Sequence, residues 1–135
     1  MSSVFYRKGY SYQLAKDYIC QIALLAAPAA FDWVSLDKDG VLTIKANYCW
    51  DGASGPAVDT KSNIRGSLIH DALYQLIRLN KLDKVYRASA DKEYYNACRE
   101  DGMNIARAWM HFRILRRFAA YAAEPRSEQK LESAP

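Results

Sequence analysis

His70 and Asp71 stand next to each other in the chain, and this pair is its most informative feature. A histidine and a nearby carboxylate can transfer protons or take part in metal-assisted chemistry. A second acid, Asp91, follows in the segment Ser89–Tyr95, and a turn with two glycines, Tyr48–Pro56, precedes the pair. A base, two carboxylates and a tight loop are the parts of a hydrolytic or metal-assisted site.

The spacing of these residues on a helix decides which of them can act together. His70 and Tyr74 are four residues apart and share a helix face, whereas Asp71 points about 100° away. His70 and Asp71 therefore cannot form a relay with each other, but Asp91 comes from another predicted helix and can orient the imidazole. The alternative interpretation is a core histidine bonded to a neighbour. Asp71 favours function, because a carboxylate in a helix rich in apolar residues needs a partner or a cation.

The glycine turn can supply oxygen ligands. Gly52 and Gly55 permit positive φ angles, and Pro56 fixes the path out of the turn. Such a loop can aim carbonyl groups at one point, and together with Asp71 it can hold a hard cation such as Ca²⁺. The alternative is a plain turn between strand and helix in which Asp51 caps the local backbone. Spacing alone favours the plain turn.

Length and composition indicate one globular domain that does not need disulfide bonds. The chain has 135 residues, of which 50% are hydrophobic, and a net charge of +4. Residues 1–123 are predicted to form the domain, and 124–135 a disordered tail, since Leu131 is the only large apolar residue there. Three cysteines without a CxxC spacing argue against a disulfide framework or a zinc site and favour a reducing compartment.

An apolar run from Tyr18 to Phe31 raises the alternative of a signal peptide. Asp17 and Gln21 interrupt that pattern, so secretion is the less favoured prediction. The run is also too short to span a bilayer.

The hydrophobic pattern predicts an α+β fold, with an N-terminal antiparallel sheet packed on three C-terminal helices. Residues 1–30 are ambiguous, although Tyr10, Tyr12 and Leu14 alternate as in a strand, and so do Tyr18, Cys20 and Ile22. The segments 33–36 and 41–46 form a predicted hairpin around the turn 37–40. Helices are predicted from Asp59 or Thr60 to about Leu79, over about 88–99, and over about 104–122. The predicted inner stripe of the third helix consists of Ile105, Trp109, Phe112, Leu115 and Ala119.

Basic residues cluster on the third predicted helix. They are Arg107, Arg113, Arg116 and Arg117, with His111 among them. Such a cluster either docks on anionic lipid or nucleic acid, or is a solvated face near a helix C-terminus. The solvated face is favoured and no nucleic acid is expected, because the aromatic residues fall on the predicted inner stripe. Trp50 and Tyr94 are likewise predicted to lie in the core or a pocket wall instead of stacking on bases.

The order and spacing of three motifs over about residues 41–120 resemble a family common in tailed phages and prophages, catalogued as domain of unknown function 1353. The motifs are Trp50–Ser54, His70–Tyr74 and Ala90–Asp91, followed by an aromatic helix. This resemblance implies a phage origin, and with it a location in the host cytoplasm or on the virion. It brings no established activity.

The same motifs resemble phospholipases A2, including the capsid-borne domain of parvoviruses, which have a glycine-rich calcium loop, a His-Asp-x-x-Tyr helix and an Asp on a second helix. The matching positions are Tyr48, Cys49, Gly52, Gly55, His70, Asp71, Tyr74 and Asp91. The resemblance implies that His70 is the general base, that Asp91 orients it, and that Asp71 and the loop bind Ca²⁺. Trp50 and Ala53 replace glycines of that family, and Trp50 is therefore predicted to wall an apolar slot.

The favoured function is thus a phage-encoded protein with a phospholipase A2-like site, a calcium-assisted ester hydrolase acting on lipid or another host envelope component. The predicted residues are His70 and Asp91 for catalysis, Trp50, Tyr74 and Tyr94 for the substrate pocket, and Asp71, Asp51, Gly52 and Gly55 for the metal. One alternative is a non-enzymatic structural, assembly or host-interaction protein in which the His-Asp cluster is structural. Another is a hydrolase with zinc on His70 and Asp71, which would need His111 as well. The oligomeric state stays open.

Overall fold

The N-terminal half of the chain forms strands and the C-terminal half forms helices, which confirms the predicted α+β class. This computed structural model describes residues 3–8, 12–52 and 60–124. The strands are β1 (Tyr6–Lys8), β2 (Tyr12–Leu14), β3 (Tyr18–Gln21), β4 (Ala29–Phe31), β5 (Val34–Leu36), β6 (Val41–Ile44) and β7 (Cys49–Trp50). The helices are α1 (Ile64–Arg78), α2 (Arg87–Glu100) and α3 (Ile105–Phe118).

Within the described residues the strands form two antiparallel sheets where the sequence predicted one. The first has the order β1-β2-β7 and the second the order β3-β6-β5-β4. Alternation governs which side chains face the core, so Leu42 and Ile44 of β6 are fully buried. The apolar run that raised the signal-peptide alternative contributes β3 and β4 to the second sheet.

The predicted hairpin is confirmed as β5 and β6, and its turn shows why it forms there. The Asp37 carboxylate accepts hydrogen bonds from the backbone N–H groups of Asp39 at 2.9 Å and Val41 at 3.0 Å. Gly40 has φ of +83°, and a Cβ atom there would lie 2.6 Å from the Ile22 carbonyl oxygen. Only glycine fits this combination of backbone angle and close approach.

The first helix begins later than predicted, at Ile64. Asn63 precedes it, and its side-chain oxygen accepts a hydrogen bond from the Thr60 N–H at 2.9 Å. This bond stabilises a turn over 61–63 that competes with helix for those residues. The proposed start at Asp59 lies outside the described residues. The second helix runs from Arg87 to Glu100, one residue beyond the prediction at each end.

The predicted inner stripe of the third helix is confirmed at Leu115 and Ala119 but is wrong at Ile105 and Trp109. Ile105 is 61% exposed and Trp109 is 48% exposed, whereas Ala108, His111 and Leu115 form the buried face. Small and polar residues can occupy this face because α3 packs against α2, where the His111 ring finds a hydrogen-bond partner. The helix ends at Phe118, and a 3₁₀ turn over Ala120–Ala123 follows it.

Among the described residues, no helix is long and apolar enough to cross a membrane. Residues 125–135, which make up most of the predicted tail, lie outside the described part of the chain.

Candidate functional site

His70 of α1 and Asp91 of α2 meet in the interior between the two helices. The imidazole Nε2 lies 2.7 Å from a carboxylate oxygen (Oδ1) of Asp91. His70 is 5% exposed and Asp91 is completely buried. The pairing of a histidine with an acid from another helix, which the sequence predicted, is therefore present.

Three more polar groups surround the same carboxylate. The Tyr74 hydroxyl donates to Oδ1 at 2.5 Å, and the Arg116 guanidinium donates to Oδ2 at 2.8 Å. Arg87, one turn before Asp91 on α2, lies 3.7 Å from Oδ2 and donates to the Tyr74 hydroxyl at 3.2 Å. Asp91 thus joins three helices, because Arg116 belongs to α3.

The sequence missed both arginines. Arg116 was assigned to a solvated face, and this assignment is wrong for that residue. The available signal was Asp91 itself, since a fully buried carboxylate requires compensating charge. Arg87 lies at the i−4 position, where a partner for Asp91 could have been sought. Arg116 gives no such local signal, because its contact depends on how α3 packs.

The electrostatics of the cluster favour an ionised Asp91 and a protonated Tyr74. Burial by itself raises the pKa of Asp91, but the hydrogen bond and charge of His70, with donation from Tyr74 and Arg116, outweigh it and hold that pKa below its usual value. Burial and the Asp91 carboxylate raise the pKa of the Tyr74 hydroxyl, which therefore stays a donor. The result is a fixed negative charge beside the imidazole.

Asp71 faces a different set of partners, as the helix spacing predicted. The Tyr48 hydroxyl donates to its Oδ2 at 2.6 Å, and the Gln75 amide oxygen lies 3.0 Å from the same hydroxyl. Burial raises the pKa of Asp71, opposed by the Tyr48 hydrogen bond and by the charges of Arg78 and His70, while the Asp51 carboxylate adds to the rise.

The predicted calcium loop is described only at its beginning. Gly52 has φ of +87°, the left-handed conformation that a loop of this kind requires. Residues 53–59, including Gly55, lie outside the described part of the chain. Asp51 and Asp71 offer carboxylate oxygens, which are the donors that Ca²⁺ prefers, so the chemistry of the described donors fits this cation.

Trp50 and Tyr94 are both buried, at 2% exposure each. Trp50 donates from Nε1 to the Ser67 hydroxyl at 2.9 Å and packs against the Tyr12 ring at 5.4 Å. Tyr94 packs edge-on against His70, with ring centroids 5.8 Å apart. Both side chains therefore pack against α1 in the interior, and Tyr94 forms one wall around the imidazole.

The second histidine, His111, does not join the site. Its Nδ1 lies 2.7 Å from the Tyr94 hydroxyl, and its ring stacks on the tyrosine. Burial and the charge of Arg107 lower the pKa of His111. In the described residues no three His, Cys, Asp or Glu side chains converge to hold a metal, so the zinc site that needed His111 is not assembled there.

Comparison with protein families, with curated proteins and with solved structures finds no match for this chain. The resemblances drawn from the motifs therefore stay predictions. Functional inference depends on the geometry of the His70–Asp91 cluster.

Proposed function

We propose that this protein is a phage-encoded, phospholipase A2-like hydrolase in which His70 activates water for attack on a carboxylic ester of lipid or another envelope component. The observation that carries the proposal is the 2.7 Å contact between His70 Nε2 and the buried Asp91 carboxylate. A histidine held by a buried acid is the arrangement that water activation requires.

The two ring nitrogens have different roles in this proposal. Asp91 occupies Nε2, which leaves Nδ1 to accept a proton. Within the described residues, the hydrogen bond of the His70 ring to Asp91 is made by Nε2. Nδ1 accepts a proton from water, the water oxygen attacks the ester carbonyl, and the ester C–O bond breaks. The proton then passes from His70 to the departing alkoxide.

The ionised Asp91 stabilises the imidazolium that forms during this transfer and fixes the ring orientation. Tyr74 donates to the same oxygen and stacks near the imidazole, with ring centroids 4.0 Å apart. Arg116 and Arg87 share the negative charge of the Asp91 carboxylate. These groups therefore fix the position of the carboxylate that holds the base.

Calcium is part of the proposal. Asp71, Asp51 and the loop containing Gly52 and Gly55 would hold the ion, which when bound would polarise the ester carbonyl and stabilise its oxyanion. The residues of the chain itself supply the base, its orientation and the carboxylate oxygens of Asp51 and Asp71.

The test is release of fatty acid from phospholipid vesicles with Ca²⁺, by wild type and by His70→Asn. We expect the variant to lose a factor of about 10² to 10⁴ in rate, which is the range that a general base contributes. A calcium chelator added to wild type should also lower the rate of hydrolysis. The variant Asp71→Asn should lower the rate as well. Circular dichroism must show that each variant keeps its fold.

The matched control is His111→Asn, which removes the other histidine of the chain, also buried at 4% exposure. We expect this variant to keep hydrolysis, apart from any loss that follows its stability. Hydrolysis that survives in purified His70→Asn would refute the mechanism.

A second candidate function has an observation of its own. Asp91 receives contacts from α1, α2 and α3 and is completely enclosed, as a structural network would be. In that case the protein is a non-enzymatic structural, assembly or host-interaction component. Wild type would then release no fatty acid, and His70→Asn would lower the melting temperature by several degrees.

A further inference from the structure

The outward side of α3 exposes large apolar residues in an unusual concentration. Ile105, Trp109 and Met110 are 61%, 48% and 53% exposed, although a helix of a globular domain normally buries such residues. Their exposure follows from the packing of Ala108, His111 and Leu115 against the rest of the fold. An apolar surface of this kind indicates an interaction site.

Positive charge lies between these apolar residues. Arg113 and Arg117 are exposed, and α3 contains no acidic residue in its fourteen positions. Within the described chain, neither arginine forms an ion pair, and the Arg117 guanidinium lies 5.6 Å from the Phe118 ring centroid. At 100° per residue, Trp109, Arg113, Arg117 and Met110 project from the same side of the helix. The outer face of α3 is therefore both apolar and basic.

Aromatic residues continue this surface onto α2. The Trp109 ring stacks on Phe112 at 5.4 Å and meets Tyr95 edge-on at 6.3 Å. The Lys92 ammonium lies 4.5 Å from the Tyr95 ring centroid. The stack holds Trp109 in place at the surface and adds one more cation beside it.

We propose that the outer face of α3, defined by Ile105, Trp109, Met110, Arg113 and Arg117, docks on the surface of an anionic lipid bilayer. A helix lying in the membrane interface buries its apolar side chains at the boundary of the acyl chains, while its arginines meet the lipid phosphates. Fourteen residues give the helix a length of about 21 Å, which lies flat on the surface and does not cross it.

The composition of the face distinguishes a bilayer from other occupants. Nucleic acid would use the arginines and the aromatic rings, but it gains nothing from burying Ile105 and Met110, which have no ring for base stacking. A second copy of this chain would present the same basic face and repel it. A bilayer with anionic headgroups complements both the charge and the apolar side chains.

This docking does not depend on the proposed hydrolysis. It would bring the protein to its substrate surface if the site is active. Arg116 lies on the same helix and donates to Asp91, so the docking element and the His-Asp cluster are in direct contact. Binding to vesicles is measured without any reaction, so each proposal can fail alone.

The experiment is sedimentation of the full-length protein with vesicles of phosphatidylcholine alone or with one quarter phosphatidylglycerol. The test variant is Arg113→Glu/Arg117→Glu. The matched control is Lys38→Glu/Lys45→Glu, which reverses two exposed lysines, one in the turn between β5 and β6 and one directly after β6. Each reversal changes the charge by −2, so both double variants go from +4 to 0. Any difference between them therefore reflects the position of the charges and not the net charge.

We expect wild type to bind the anionic vesicles, to prefer them over neutral ones and to release in high salt. The Arg113→Glu/Arg117→Glu variant should bind at least about tenfold more weakly, and the lysine control should bind nearly as wild type does. Met110→Glu should also weaken binding, because it places a charge among the apolar residues. His70→Asn should still bind, and this separates docking from hydrolysis.

Three results would overturn the docking proposal. The first is a wild-type protein that binds neither kind of vesicle. The second is an equal loss of vesicle binding in the two double variants, which would assign the effect to net charge. Binding of wild type to a short DNA or RNA duplex, with no preference for anionic vesicles, would assign the face to nucleic acid.

Discussion

Asp91 is the residue on which most of the site depends. It is fully buried, yet its carboxylate stays ionised because His70, Tyr74 and Arg116 donate to it. Removing the charge of Asp91 leaves the buried His70 and the partly exposed guanidinium groups of Arg87 and Arg116 without the anion that they face. A stability experiment at Asp91 therefore measures how strongly the cluster is coupled.

Asp91→Asn should lower the free energy of unfolding by about 3 kcal/mol at neutral pH, since breaking a buried ion pair from one side typically costs that much. Tyr74→Phe is the matched comparison. It removes one donor and leaves the charge, and should cost only about 1 kcal/mol. Urea unfolding of wild type and the two variants gives both values. Equal losses of unfolding free energy in the two variants would contradict a central role for the charge of Asp91.

The effect of Asp91→Asn should also depend on pH. The pKa of Asp91 is depressed in the folded state, so its contribution to stability is present above the unfolded value of about 3.9 and is lost as the pH falls toward the folded value. The difference between wild type and Asp91→Asn should therefore narrow below about pH 4. A difference that stays constant between neutral and acidic pH would be inconsistent with an ionised Asp91.

The sequence predicted the contact of His70 with Asp91, and the separation of Tyr74 from Asp71 by helix face. Local periodicity was sufficient for the second of these, because helical spacing fixes which side chains share a face. The first joins two helices and was predicted from the order of the motifs. Nothing in the sequence predicted the contact of Arg116 with Asp91, which depends on how α3 packs. Nor did the sequence predict Tyr48 as the partner of Asp71, since that hydroxyl comes from the end of the sheet region.

At the scale of elements, the close packing of α1 on α2 brings the histidine and the acid together. Gly66 of α1 permits it. A Cβ atom at this position would lie 2.9 Å from the Cys98 sulfur and 3.2 Å from the Tyr94 carbonyl oxygen. The backbone oxygen cannot move without shifting α2, so the side chain of residue 66 limits the separation of the helices.

Gly66→Ala should therefore destabilise the protein by about 1–3 kcal/mol, the cost of overpacking, although alanine is the better helix former by about 1 kcal/mol. Adding Cys98→Ala should recover part of the loss, because it removes the sulfur that the new methyl group meets. Thermal unfolding of the single and double variants gives the coupling between them. A Gly66→Ala protein that is more stable than wild type would show that α1 and α2 can accommodate a methyl group at this position.

The third helix shows where pattern reasoning at the element scale failed. Its apolar residues fall at helical spacing, and this predicted that Ile105 and Trp109 face inward. The structure exposes both and buries Ala108 and His111 instead. A hydrophobic stripe shows that a helix has an apolar face, but the neighbouring elements decide whether that face meets the core or another surface.

At the scale of the whole molecule, buried polar contacts join the strands to the helices. The Glu93 carboxylate of α2 accepts hydrogen bonds from the backbone N–H groups of Ala23 and Leu24, at 3.0 Å and 2.9 Å, in the connection between β3 and β4. Trp50 of β7 donates to Ser67 of α1. Because these contacts cross between the halves, neither half keeps its interior partners when the other unfolds.

The strands and helices should accordingly unfold together. In the variant Trp109→Phe the remaining tryptophans, Trp33 and Trp50, lie in the sheet region, while circular dichroism at the helical wavelength follows α1 to α3. The two signals should give the same urea midpoint, as expected for one cooperative unit. Midpoints that separate would divide the chain into two independently stable parts.

The sequence by itself determined the α+β class, the β5–β6 hairpin and the existence of all three helices. Each of these follows from residue type and from spacing among neighbours in the chain. The pairing of His70 with Asp91 joins two helices, and it was predicted from the order of the motifs and their resemblance to a known family. Tertiary structure alone decided that Arg116 meets Asp91, that Tyr48 meets Asp71 and that Ile105, Trp109 and Met110 of α3 face outward. Those outcomes depend on how elements distant in the chain pack together, because a buried charge or an apolar face can be satisfied by many partners and packing selects one.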